Sequence, residues 1–426
     1  MRVSAQSNNG LLEIFFHPDP DDRLFPNEKF RMDKLSCSVS LPRGFSFSEL
    51  HPDHFALSVI MLCFPFVGKN LELPRPISHE FSKATEVISR FRVGPVDDSL
   101  EPWRPSSDSR PAIAFSGGID SSAALSIMPE NSVPVFLDRP ISGRSLYDKD
   151  APYNICSQLI EMGFDVQIVK SDLEYLRRPI GFPVDLANSV PAVLMSELAS
   201  FNSVAFGTIL ESAYGAGHRE YRHYPSGNHF RLWNPLFKAA GIPLNLPVAG
   251  ISEVGTTIIC METEIGRLSQ SCIRGKWKRP CRNCWKCFRK ILLEMTVKGE
   301  EISSRTLDEL FSIKEAIFHL SNFPIKHENV LTYITSRYHG NHPIMSTLKR
   351  RVRGDVLSLD WLEKWNPDSM EIIIDKYRES TVTNINSILD TMEEKEKDQL
   401  IEWNMDELLN SNKYQTIQAE LTGMLE

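Results

Sequence analysis

Ala112-Ile113-Ala114-Phe115-Ser116-Gly117-Gly118-Ile119-Asp120-Ser121-Ser122 is the stretch that decides how this chain is read. A short apolar run ends in two glycines, an aspartate and hydroxyl residues, then passes into an apolar segment of helical character. Ala112 to Phe115 read as a buried strand. Gly117 and Gly118 let the backbone turn sharply and approach a ligand closely. Ser116, Ser121 and Ser122 add hydroxyls, and the free N–H groups from Gly117 through Ile119 to Ser122 would point at the same spot, where a helix N-terminus favours an anion. No Gly-Lys-Ser/Thr ending follows, so this is not a Walker loop. The bland alternative is a strand-to-helix turn with no ligand.

Outward from that stretch the text alternates between strand and helix. Strands are expected at Ala112–Phe115, Val133–Leu137, Asp165–Val169 and Ser203–Phe206, with helices at Ser121–Met128, Tyr153–Met162 and Pro191–Ser200. Short strands separated by helices imply parallel pairing through crossovers and a doubly wound α/β sheet. Ligands in such sheets bind at the carboxyl ends of the strands. Ser116–Asp120, Asp138–Arg139, Lys170–Asp172 and Gly207–Glu211 all fall there, which points to one site.

A chain of 426 residues is too long for one ordinary core. Residues 1–105 read as a β-rich module, with alternating segments at Leu11–Phe16 and Leu35–Leu41 and a helix near Glu80–Phe91. The proline- and serine-rich stretch Pro95–Pro111 reads as a linker. Residues 111–290 form the expected central domain, and 291–426 a helical, charged region with Trp361, Trp365 and Trp403 as packing anchors. Two charged runs are set apart: Lys349–Arg353 reads as a solvated helix face or turn rather than a nucleic-acid patch, and Thr391–Asp398 as a solvated helix face. The apolar stretch Phe55–Val67 is too short to span a bilayer and reads as a buried helix or strand.

The chain carries 42% apolar and 24% charged residues, as soluble globular proteins do, and a formal charge of −8 argues against general binding to nucleic acid or anionic membrane. Four of its eight cysteines lie within sixteen residues, which suits a metal site in a reducing compartment, by default the cytoplasm. Cys272, Cys281, Cys284 and Cys287 are spaced C-x8-C-x2-C-x2-C. Four thiolates at these spacings can close a tetrahedron around Zn2+ and leave no open position for catalysis. An iron–sulfur cluster is the competing reading. Eight basic residues lie among or beside the cysteines, from Arg274 to Lys290. Part of that charge offsets the thiolates, and the surplus could face phosphates or RNA.

The Ser-Gly-Gly-x-Asp-Ser stretch resembles the PP-loop of the ATP pyrophosphatase family. Together with the cysteine spacing about 150 residues later, residues 111–290 resemble the zinc-containing 7-cyano-7-deazaguanine synthase family within it. The resemblance implies the adenine-nucleotide alpha-hydrolase type of fold. It implies ATP, Mg2+ and Zn2+ as cofactors. Pyrophosphate would be held by Ser116 to Ser122, and an adenylated carboxylate would then be attacked by ammonia or an amine. Asp120 would position Mg2+ or order the loop, beside Ser121. Lys238, in Asn234-Pro235-Leu236-Phe237-Lys238, would neutralise the α-phosphate. Asp138 would bind the ribose or adenine edge, and Gly207 with Glu211 matches a glycine and acid of the family.

Departures from the family pattern fall where a substrate would be read. Pro183-Val184-Asp185-Leu186-Ala187-Asn188 lacks the family's arginine, and Ser212 stands where an aspartate would be. The carboxylate and the amine are therefore left open. The flanking regions are candidates for contact with a protein partner or a second copy of the chain. Two rival functions fit the same residues: sulfur transfer to a tRNA base, and a nucleotide-sensing scaffold without catalysis.

Overall fold

The computed structural model describes residues 1–141 and 145–426. Twelve strands are present among them: β1 (Arg2–Asn8), β2 (Leu11–His17), β3 (Arg31–Met32), β4 (Ser36–Ser40), β5 (Asn70–Ser78), β6 (Arg92–Asp97), β7 (Arg110–Phe115), β8 (Val133–Asp138), β9 (Gln167–Ser171), β10 (Arg177–Arg178), β11 (Phe201–Ala205) and β12 (Leu244–Asn245). Ten of them form one sheet in the order β12-β11-β7-β8-β9-β4-β2-β1-β5-β6, and β3 pairs with β10 apart from it.

From β12 to β9 all pairings are parallel, as the alternation of strand and helix predicts. The order reverses at β7: the chain runs outward through β8 and β9, then returns to β11 and β12 on the other side. Alternate residues of β7 serve two cores. Ala112 and Ala114 join one apolar cluster and Ile113 and Phe115 the other. Helices therefore cover both faces: Ile119–Ile127 contributes to the Ile113 side and Val190–Leu194 to the Ala112 side. A strand buried on both faces reads as a continuous apolar run, which is why this stretch was legible.

The strands of residues 1–105 make the other half of the same sheet rather than a sheet of their own. β4 joins β9 antiparallel at Val39–Ser171 and Ser40–Lys170, and Asp172 accepts the Ser38 N–H at 2.7 Å. β1, β2 and β4 run antiparallel, while β1, β5 and β6 are parallel, so the sheet is mixed overall. Pro52–Cys63 is a helix with every residue buried, settling the choice between helix and strand for that stretch. The helix expected at Glu80–Phe91 is shorter, His79–Thr85, because the chain must turn to enter β6 beside β5.

From Trp285 onward the chain is helical among the described residues, with Trp361, Trp365 and Trp403 buried as expected. Lys349–Arg353 is not a solvated face throughout. Arg351 is fully buried and pairs with Glu328, itself buried. The C-terminal region packs back on the sheet: Tyr377 hydrogen-bonds Asn202 in β11, and Asn384 donates to the Ile127 carbonyl. No helix among the described residues is long and apolar enough to cross a membrane.

Candidate functional site

The loop from Ser116 to Ser122 sits where the strand order reverses, the position at which open α/β sheets bind ligands. Gly117 has φ +72°, the left-handed region that glycine enters at no steric cost. Gly118 is the N-cap of the Ile119–Ile127 helix and has no side chain to cap it. The serines shape the turn instead. Ser116 Oγ accepts from the Gly118 N–H at 3.3 Å and lies 3.0 Å from Ser121 Oγ, which donates to the Gly118 carbonyl. The N–H groups of Gly117, Asp120 and Ser121 have no partner among the described residues. They remain free for an anion. Ile119 and Ser122 are buried, and the Ser122 hydroxyl lies out of solvent with no partner among the described residues.

Two neighbouring segments fix the loop. Gly207, two residues past β11, approaches so closely that a Cβ there would stand 2.8 Å from the Asp120 carbonyl carbon and from the Ser121 nitrogen. On the other side, Gln270 N–H donates to the Gly117 carbonyl at 2.9 Å and Ile119 N–H reaches Ser271 Oγ at 3.4 Å. The Asp120 side chain turns to the Glu253–Glu262 helix, where Thr256 Oγ1 donates to it at 3.2 Å. Burial raises its pKa and the Lys290 ammonium opposes that rise. Of the two roles expected of Asp120, this contact serves the ordering of the loop.

The segment Gln270–Ser271 leads directly into the cysteines. The sulfurs of Cys272, Cys281, Cys284 and Cys287 all lie within 4.8 Å of one another, close enough to hold a metal ion. Cys281 and Cys287 sulfurs are 3.7 Å apart, far beyond a disulfide. That matches the edge of a tetrahedron with metal–sulfur bonds near ~2.3 Å, which is ~3.8 Å. Cys284 caps the Trp285–Val297 helix, accepting from the Cys287 N–H at 3.4 Å. Cys272 accepts from the Cys281 N–H at 3.3 Å. Hydrogen bonds from Cys287, stronger than the opposing effect of burial, hold the Cys284 thiol below its ordinary pKa.

The capped helix carries Arg289 and Lys290 into the interior, where both pair with Glu253 at 3.0 and 2.9 Å. Burial alone would raise the Glu253 pKa, but Lys290 and Arg289 hold its carboxyl well below the usual range. Glu253 in turn donates its backbone N–H to Glu211 at 3.1 Å. Burial, then the charge of Glu253, pushes Glu211 up to about 7. Burial and Arg289 push the nearby His327 down to about 3, so its imidazole is neutral. The basic residues beside the cysteines thus divide. Arg274 and Lys276 pair with Glu315 and Asp148, Arg289 and Lys290 with Glu253, and Lys286 stays exposed at the start of the helix.

Two expected residues do not come to the loop as open groups. Asp138 ends β8 on the correct edge, but its carboxylate is taken by the Lys149 ammonium and by Tyr153 Oη at 2.7 Å. Lys238 lies at the opposite edge of the sheet. It borders a cleft with Ser106, Asn202 and Leu244, which precede or begin β7, β11 and β12. It stands in the last turn of the Asn228–Ala239 helix, on the side of the strand starts, a placement no linear motif carries. Beside the loop, Ser116, Phe136, Arg139, Asn188 and Cys272 line a cavity of about 230 Å3. The buried Asn188 Oδ1 has no partner among the described residues. Thr256 and Glu253 carry no sequence signal of their own, since an acid or hydroxyl in a helix reads as surface until its neighbours are known.

The model of a family of unknown function (DUF6395) matches residues 232–404, which include the cysteines, Glu253 and Lys290 but not the loop. No curated protein matches the chain.

Proposed function

We propose that the chain is an AMP-forming ligase of the ATP pyrophosphatase type, joining a carboxylate to ammonia or an amine. The observation that supports this most is the free-N–H loop at Gly117 to Ser121, clamped by Gly207 at the reversal of strand order. In the proposed reaction a substrate carboxylate oxygen attacks the α-phosphorus of ATP. The bond from that phosphorus to the β-bridging oxygen breaks, and pyrophosphate is held by the N–H groups of Gly117, Asp120 and Ser121. The amine then attacks the acyl carbon, AMP departs with its oxygen, and the nitrogen loses a proton to solvent.

Positioning and charge stabilisation dominate such a step. Mg2+ would arrive on the nucleotide. The 230 Å3 cavity would take the nucleoside, with Asn188 Oδ1 accepting an exocyclic amino hydrogen. Lys286, whose charge reaches Asp120, replaces Lys238 as the cation near the phosphates. The all-thiolate set fits Zn2+, which would hold the 270–287 segment against the loop and take no part in the chemistry.

Purified protein incubated with ATP, Mg2+, ammonia and a panel of carboxylic acids is expected to release AMP and pyrophosphate in equal amounts. Release of ADP and phosphate, or failure to retain ATP, would overturn the reading. Tight retention without turnover would mark a nucleotide sensor instead.

A further inference from the structure

Glu211 and Asn329 meet on the wall of a second cavity, about 440 Å3, between the Ala216–Arg219 loop and the segment leading to the Glu328–Ser336 helix. Both are buried, Asn329 completely. Asn329 Nδ2 donates to Glu211 Oε1 at 2.9 Å, yet its Oδ1 has no partner among the described residues. Native structures keep few such orphaned acceptors. Gly217, with φ +80°, abuts that oxygen: a Cβ there would stand 2.0 Å away. Only glycine leaves the amide in place.

Glu211 and Asn329 thus place carboxylate and amide acceptors side by side at the inner end of this wall. Glu211 takes the Glu253 N–H and Asn329, which leaves lone pairs unused on a carboxylate with about four acceptor sites. A ligand's inner end must supply donors. At the outer side Lys326 is exposed and makes no ion pair among the described residues, whereas Arg219 is held by Asp406 at 3.0 Å. Phe323 and Met405 provide apolar surface in the same cavity. Donors inward, an anion outward and methylenes between describe one chemical class.

We infer that this cavity binds an amino-acid-like zwitterion, its primary ammonium on Glu211 and Asn329 and its carboxylate toward Lys326. Binding stands on the cavity alone. A role for this ligand as the nitrogen donor rests on the reaction proposed above, to which the site connects through Glu253 and Lys290.

Calorimetric titration without nucleotide tests it, using 4-aminobutyrate and β-alanine, with butyrate and methylammonium as single-charge controls. At least one zwitterion should bind saturably, and butyrate at least about tenfold more weakly. Glu211→Gln should lower affinity for the zwitterion at least about tenfold. Lys326→Ala, a surface change that leaves the fold alone, should weaken the zwitterion but not methylammonium. No saturable binding of either zwitterion up to about 10 mM, butyrate binding equally well, or full affinity in Lys326→Ala would overturn the inference. Because nucleotide is absent, these outcomes are independent of ATP turnover.

Discussion

Gly207 and Asp120 touch through their backbones, the Gly207 Cα lying where any side chain would run into the Asp120 carbonyl. The contact joins the end of β11 to the first turn after β7, so the loop's shape depends on a residue 87 positions away in sequence.

Gly207→Ala is expected to fold and to lose about 1–3 kcal/mol, the usual range for forcing a methyl into a filled space. Its larger effect should be on the loop, with ATP affinity falling at least about tenfold. Urea unfolding and nucleotide titration measure the two. An alanine variant with unchanged affinity would show that this contact does not shape the loop.

Asp120→Asn keeps the shape of the side chain and its acceptor for Thr256 but removes the charge that faces Lys290. Thermal stability should move by no more than a few degrees, about 1 kcal/mol. Pyrophosphate release should drop by at least about tenfold. Full turnover in this variant would remove Asp120 from the proposed mechanism.

Metal removal should act at a distance. Chelation removes the ion that the four thiolates would share, and Cys284→Ser removes one thiolate of the tetrahedron while its hydroxyl can still cap the Trp285–Val297 helix. Melting temperature and zinc content should fall together, since metal affinity of such a site is folding free energy. ATP affinity should fall too, because Gln270 and Ser271 link the cysteines to the loop. Stoichiometric zinc in a colourless protein is expected; visible absorbance and iron would indicate a cluster instead.

Glu211 gives the protein a pH dependence of predictable sign. Its carboxyl is raised from 4.5 to about 7 in the native state. Between those values the unfolded chain has released the proton while the native chain keeps it. Stability from this residue therefore falls as pH rises through that window, by a total on the order of 3 kcal/mol. Glu211→Gln lacks the effect, so the gap between wild type and variant should shift in the variant's favour from about pH 5 to about pH 8. Parallel unfolding curves at the two pH values would refute it.

Much of the site could be read from the chain because its determinants are local. The Gly117-Gly118 turn and the cysteine spacing each need only a few consecutive residues, although the helix begins at Ile119, two residues before the expected Ser121. What escaped reading depends on contacts between distant segments. Lys238 sits in a motif of the right composition, but its helix lies beside the starts of the strands rather than their ends. Arg351 reads as one more charge in a basic run until Glu328 is placed against it. The pairing of β4 with β9 joins residues more than 130 apart, and nothing in either strand announces the other.

That last pairing constrains how the protein can be cut. Expressed by itself, a piece ending near residue 105 would leave β4 with a bare row of backbone donors and acceptors, and the complementary piece would leave β9 likewise. Each fragment is expected to aggregate alone and to be rescued when both are made in the same cell, so split reporters and truncation series should break the chain elsewhere.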